Sequence, residues 1–308
     1  MTTARTRPEP ATLASQETAD GTSADRLASR YRRDGYVILP GVLDEALVGA
    51  TRSETTAICR GRRGLFDGMP TADGQQNTTA DTSDDDVLRQ YLCVHFPHKL
   101  SALMEGLARH RDVVSVLTTL IGPNVKMMQS MLFIKAAGKP GQAWHQDETH
   151  IPTRDRSLTA AWLALDDATV DNGCLWVLPG SHRAGVLHPV RDQDDPRFDC
   201  TQEAHGFTDA DAVPVEVPAG TAVVFNGYLL HRSLPNTRRA GLRRALVNHY
   251  MSAESLLPWL PPTGPQAMGQ HDHRDIELVA GEDPHAFAGT TEIMRPHLRP
   301  DGDGGCAH

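Results

Sequence analysis

Between Val125 and Tyr250 the chain is a succession of β-type runs punctuated by Gly, Pro, Asn and Asp. Many short strands with such turns build a sandwich or a barrel. A framework of that kind holds side chains in fixed rows, because residues i and i+2 of a strand share one face. Within it lies Trp144-His145-Gln146-Asp147. His145 and Asp147 then aim the same way, one offering an imidazole nitrogen and the other a carboxylate oxygen. Another histidine would complete a 2-His-1-carboxylate facial triad, which leaves the opposite face of Fe(II) open. His231 is placed to be that ligand, since it ends an apolar run from Thr221 that reads as a buried strand.

A bare His-x-Asp arises by chance in a chain with 15 His and 39 acidic residues, so the surroundings decide. After Asp147 come Leu158 to Leu165, with Trp162 among them, and then Asp171-Asn-Gly-Cys-Leu-Trp-Val-Leu-Pro-Gly-Ser-His182. After His231 come Ser233, Pro235-Asn236 and the basic pair Arg243-Arg244. In these three blocks, in this order, the chain resembles the phytanoyl-CoA dioxygenase family of Fe(II)/2-oxoglutarate oxygenases. The likeness extends from about Asp34 to Tyr250.

The resemblance implies a mainly β fold with flanking helices: a double-stranded β-helix, the jelly-roll core of cupin-like oxygenases, here over about 125–250. It implies His145, Asp147 and His231 as iron ligands, with 2-oxoglutarate as cosubstrate and O2 as oxidant. A carboxylate at 147, where related halogenases carry a small residue, implies hydroxylation or a related oxidation. The family holds the distal carboxylate of 2-oxoglutarate with a Ser and an Arg. Ser233 matches the serine. The arginine position of the family falls on Leu242, and a one-residue insertion would move the role to Arg243. Only one of Arg243 and Arg244 can enter the barrel, because strand neighbours face opposite ways. An arginine fork suits this task because it grips a carboxylate through parallel hydrogen bonds.

Softer matches are Gln129 and Trp162, which fall where the family lines the cosubstrate pocket; a strand glutamine and a core tryptophan account for them equally well. Lys99 and Lys135 could serve as carboxylate partners, but surface lysines are the commoner outcome and both are set aside. His182 receives a role in the fold, and His271-Asp-His273 reads as a solvated pair. The implied reaction oxidises a small metabolite or natural-product intermediate and releases succinate and CO2. Two other classes stay open: a cupin-like metalloprotein that does not use 2-oxoglutarate, and a catalytically silent binding member of the fold.

Composition bounds the rest. A net charge of -9 disfavours nucleic acid as a partner, which requires a basic surface. No apolar stretch approaches the roughly 18 residues of a membrane span. Five widely spaced cysteines fit neither a disulfide framework nor a zinc site, and point to the cytoplasm. The expected organisation is a disordered tail over 1–24, one domain over 25–300, and a frayed end over 301–308. Asp44 is expected to cap a helix through Ile58, and Leu100 to Ile121 to form one or two helices. The polar stretch 62–86 reads as a mobile flap near the site entrance or equally as an unstructured surface insertion, and 186–213 as a lid or substrate-recognition loop, with 251–308 wrapping the barrel loosely.

Overall fold

The computed structural model describes residues 23–72, 75–76, 81–199, 202–256, 277–288 and 294–299. The tail over 1–22, the His271-His273 pair and the end over 301–308 lie outside the described residues.

The first part is mostly helical: α1 (Ser23–Asp34), β1 (Tyr36–Leu39) and α2 (Glu45–Cys59). Asp44 caps α2 as expected, its carboxylate accepting from the Leu47 backbone N–H at 2.7 Å. Two-residue strands β2 (Thr71–Ala72) and β3 (Gln75–Gln76) precede α3 (Asp84–Leu88) and β4 (Cys93–His95). Then come α4 (Ala102–Ala108) and α5 (Arg111–Ile121), two helices where the sequence allowed one or two. Gly122 follows at φ 109°, a conformation that ends the helix.

The rest is almost all strand: β5 (Val125–Ala136), β6 (Gln142–His145), one helical turn α6 (Asp147–His150), β7 (Thr159–Ala164) and β8 (Leu175–Val177). These are followed by β9 (Val190–Asp192), β10 (Gln202–Ala204), β11 (Val213–Val215), β12 (Ala222–Asn226), β13 (His231–Ser233) and β14 (Leu242–Ser252). Two further strands, β15 (Glu277–Ala280) and β16 (His297–Arg299), complete the described elements.

The strands form a large antiparallel sheet in the order β1-β12-β7-β14-β5-β4-β16, with β15 also on β5, and a smaller one in the order β11-β8-β13-β6. Strand alternation sorts the large sheet into two faces. One face (Leu132, Ile134, Leu163, Val224, Leu246) packs on the helices through Val48, Ile58, Met104 and Leu117. The other (Met131, Trp162, Phe225, Val247) packs on Leu175, Val177 and Val215 of the smaller sheet. The protein is therefore mainly β, two sheets face to face with helices on the outside of the larger. Each fully buried aliphatic such as Ile58 or Leu117 contributes about 1.5–3 kcal/mol.

Several expectations change. β5 and β14 are long, 12 and 11 residues, and pair along their whole length. The pairing passes from His249↔Gln129 to Tyr250↔Met127, so Met128 is an extra residue in β5, a bulge that keeps the hydrophobic rows in step. In the stretch 62–86, Phe66 and Met69 are buried in the helix-side core, and none of its described residues lines the site below. A flap there does not follow from them: two apolar side chains suffice to pin an otherwise polar segment. The described part of 251–308 adds β15 and β16 to the large sheet rather than wrapping it loosely. His182 is held in the fold, its Nε2 3.2 Å from the Arg32 carbonyl at the end of α1.

The insertion after β8 borders β6. Gly141 N–H donates to the Arg197 carbonyl at 2.7 Å, and Asp199 N–H donates back to the Gly141 carbonyl at 2.8 Å. Gln146, almost fully buried, uses both ends of its amide. Its Nε2 donates to the carbonyls of Val186 (3.1 Å) and Tyr228 (2.8 Å), and its Oε1 accepts from His188 N–H at 2.8 Å. Replacing it with Leu strands these groups at a cost of about 1–3 kcal/mol each. Hydrogen exchange at His188 is expected to speed up in that variant; unchanged protection would show that the amide does not hold the loop.

Candidate metal and cosubstrate site

His145 ends β6 and His231 opens β13, and the antiparallel register sets them directly opposite each other. Their rings lie 4.1 Å apart, centroid to centroid. Gln146 is extended (φ -126°, ψ 127°), so Asp147, first residue of α6, returns to the face that His145 uses. Ligand atoms of His145, Asp147 and His231 all lie within 4.8 Å of one another. Asp147 Oδ1 is 3.7 Å from His145 Nε2 and 3.5 Å from His231 Nε2.

Both histidines are oriented from behind. His145 Nδ1–H donates to the Ala143 carbonyl at 2.8 Å and His231 Nδ1–H to the Leu229 carbonyl at 2.9 Å, which directs each Nε2 at the common centre. Burial, reinforced by the neighbouring His231, pushes the pKa of His145 down to about 3, so this imidazole stays neutral. Burial alone would raise the pKa of Asp147, but His231, His249 and His145 outweigh it and hold the carboxylate ionised. Neutral imidazole with ionised carboxylate is the donor set that a divalent first-row metal takes.

The three side chains line one end of a pocket shared with Met131, Phe133, Gln142, Trp162, Phe225, Ser233, Arg243 and His249. Arg243 is buried, 5.7 Å above the Trp162 ring, and its Nε has no hydrogen-bond partner. Burial lowers its pKa to about 10. No ion pair to Arg243 occurs among the described residues. Arg244, one step along β14, faces away and grips both oxygens of Asp166 at 2.8 Å. The alternation allowed one of the pair inside, and it is Arg243.

Lys135 is a correction. It is buried, 3% exposed, opposite Arg243 in the β5–β14 register. Its Nζ donates to Ser233 Oγ at 2.8 Å and to the Leu234 carbonyl at 2.7 Å. Burial, and then the Arg243 charge, push its pKa well down. The signal was in the sequence: Met131, Phe133 and Lys135 alternate along β5, so the row that lines the pocket at Met131 and Phe133 runs on to the lysine beside Ser233. Lys99, by contrast, donates to the Met294 carbonyl away from the pocket. Ser233 Oγ accepts from both Lys135 and the Gln142 N–H (3.2 Å), which leaves its own proton for a pocket ligand. Gln129 is buried opposite His249 but does not line the pocket. Glu148, beside Asp147, is buried too; burial raises its pKa to about 7 although Thr153 donates to it twice.

Gly173 lets these groups approach. At φ +81°, a Cβ there would stand 2.3 Å from the Leu234 carbonyl and 3.0 Å from Lys135 Nζ. Gly173→Ala should therefore lower stability by about 1–3 kcal/mol in urea unfolding; a loss under about 0.5 kcal/mol, the noise of ordinary surface changes, would mean the turn relaxes freely.

The sequence model of the phytanoyl-CoA dioxygenase (PhyH) family matches residues 31–245. Phytanoyl-CoA dioxygenase 1 of Oryza sativa subsp. japonica is 36% identical over 162 residues, 52% of this chain and 57% of that protein. Human peroxisomal phytanoyl-CoA dioxygenase is 32% identical over 154 residues, 46% of this chain and 44% of that protein. The alignments to the rice, Arabidopsis thaliana and Danio rerio proteins span 50–60% of their lengths. Among solved structures, the non-heme monooxygenase ThoJ in its apo form superposes with a TM-score of 0.62 at 21% identity, covering 90% of this chain and 89% of that one. The epimerase SnoN in complex with Fe3+, alpha ketoglutarate and nogalamycin RO gives 0.59 at 22%, covering 81% and 94%. These two likenesses bear on the fold. With the family match running from α1 through both histidines and Asp147 into β14, the chain belongs to the phytanoyl-CoA dioxygenase (PhyH) family.

Proposed function

We propose that this chain is an Fe(II)- and 2-oxoglutarate-dependent oxygenase that hydroxylates a small metabolite or natural-product intermediate, with release of succinate and CO2. The observation that carries the reading is the pocket's two-ended chemistry. Three convergent metal-type ligand atoms share the pocket with a buried cation that has no ion pair among the described residues and with a serine held from behind by a buried lysine. The two facing sheets support a double-stranded β-helix, the jelly-roll of cupin-like oxygenases. His145, Asp147 and His231 would hold the iron, which supplies O2 activation coupled to decarboxylation of the keto acid.

The chain's own residues do the rest. Arg243 grips the distal carboxylate with its fork, and Ser233 donates its hydroxyl proton to the same group. Lys135 orients that hydroxyl, while Trp162 forms the wall under the guanidinium. Gln129 supports His249 from the opposite strand. The insertion between β8 and β11, tied to β6 through Gln146, flanks the metal end and shapes the substrate entrance. No helix among the described residues is long and apolar enough to cross a membrane. The buried thiols Cys59, Cys93 and Cys174 support a cytoplasmic location.

The test is an anaerobic titration of Fe(II)-loaded protein with 2-oxoglutarate, following the visible charge-transfer band. A saturable band supports the reading. Bound iron without a band would leave a cupin-like metalloprotein of other chemistry. Lys135→Met should weaken 2-oxoglutarate about 10- to 100-fold, the worth of one hydrogen bond to a charged group; an unchanged midpoint would remove the lysine from the clamp.

A further inference from the structure

His249 stands beside the three convergent side chains without joining them. It lies on β14, buried, with Nε2 3.3 Å from Oδ2 of Asp147, a close approach that stops short of a hydrogen bond and leaves Oδ2 without one among the described residues. Oδ1, the other oxygen, is the one that faces His145 and His231. The carboxylate is thus divided: one oxygen toward the candidate metal centre, one toward a third imidazole. The backs of the rings differ as well. His145 and His231 are each braced by a backbone carbonyl at Nδ1, whereas Nδ1 of His249 has no hydrogen-bond partner among the described residues. His249 is also absent from the set of ligand atoms that come within 4.8 Å of one another. Two histidines are presented to a metal, and the third is presented to the carboxylate.

We propose that His249 is a positioning residue: it donates Nε2–H to Oδ2 of Asp147 and so reserves Oδ1 as a single-oxygen metal ligand. The proposal rests on the iron reading above. A carboxylate offers a metal either one oxygen or both. A facial triad works by leaving three positions for cosubstrate and O2, and a second carboxylate oxygen on the metal would take one of them. An N–H donor on Oδ2 favours the single-oxygen mode, the same task that supporting partners perform around other metal ligands. The fold explains how the donor comes to be there. Met128 is extra in β5 where His249 and Tyr250 pair across, and a bulge re-aims neighbouring side chains. Tyr250, on the opposite face, fixes the strand by donating its hydroxyl to the Ala108 carbonyl at 2.8 Å.

The experiment uses Co(II) as a spectroscopic substitute, titrated into the full chain without 2-oxoglutarate. His249→Gln keeps an N–H donor; His249→Leu and His249→Phe remove it and keep the bulk. The donor-free variants are expected to bind Co(II) about 10- to 100-fold more weakly, with altered d–d absorption, while the Gln variant stays within about threefold of the native protein. Circular dichroism identifies which variants fold, and either donor-free one is sufficient. Equal losses in the Gln variant and a donor-free variant would overturn the proposal in favour of a packing role. Native Co(II) affinity and spectrum without the donor would overturn it outright. A native protein that takes Co(II) but shows no 2-oxoglutarate band would sink the oxygenase reading while leaving this result standing.

Discussion

Arg243→Ala is expected to abolish 2-oxoglutarate binding at concentrations that saturate the native protein. Truncating one partner of a buried, hydrogen-bonded charge pair costs about 2–5 kcal/mol, roughly 30-fold or more in affinity. Arg244→Ala should leave the cosubstrate untouched, because that side chain is engaged with Asp166 on the other face of β14. Stability should separate the two in the opposite sense. Arg243 is a buried cation with an unsatisfied Nε in the ligand-free protein, so its removal relieves a desolvation cost. Arg244 holds a two-pronged pair that is 13% and 14% exposed, so its removal leaves Asp166 with the more exposed Arg52 and the backbone N–H of residue 244. Thermal melts with and without 2-oxoglutarate read both effects together. An Arg244 variant that loses the ligand, or an Arg243 variant that keeps it, would show that Arg244 rather than Arg243 holds the cosubstrate.

Asp147→Ala is the second large effect. It removes the one carboxylate among the three convergent ligands. The fall in Fe(II) affinity should exceed the roughly 10- to 100-fold that loss of a supporting partner costs, and succinate production should vanish with it. Equilibrium dialysis against Fe(II) under nitrogen measures the first, and product analysis the second. Retention of stoichiometric iron at native affinity would move the metal site elsewhere.

Much of this site was legible because it is written in a period of two. His145 and Asp147 share a face through extended Gln146, and Arg243 and Arg244 must part company on a strand. The capped helix after Asp44 was legible for a similarly local reason, a side chain three residues from the N–H it binds. What escaped depends on pairing between distant strands. Lys135 comes to stand behind the pocket's Ser233 only when β5 pairs with β14 and places it opposite Arg243. His249 means nothing until the extra residue at Met128 is known. Phe66 and Met69 look like stray apolar residues in a polar stretch until the helix-side core receives them. Local spacing reads a face, and register between remote segments decides what that face meets.

The register also makes the pocket a ruler. On the proposed reading the metal end begins at His231 and the anion end at Ser233, two residues on along the same strand. Strand residues rise about 3.3 Å each, so the marks stand roughly 6–7 Å apart. β13 is clamped on both sides, by β6 and by β8, and cannot slide without breaking both ladders. The spacing is therefore a property of the backbone, beyond the reach of a side-chain swap. A keto diacid one methylene shorter, oxaloacetate, must leave one end unmet, and one methylene longer must buckle. On the proposed reading, the weave of the sheet fixes the length of the cosubstrate.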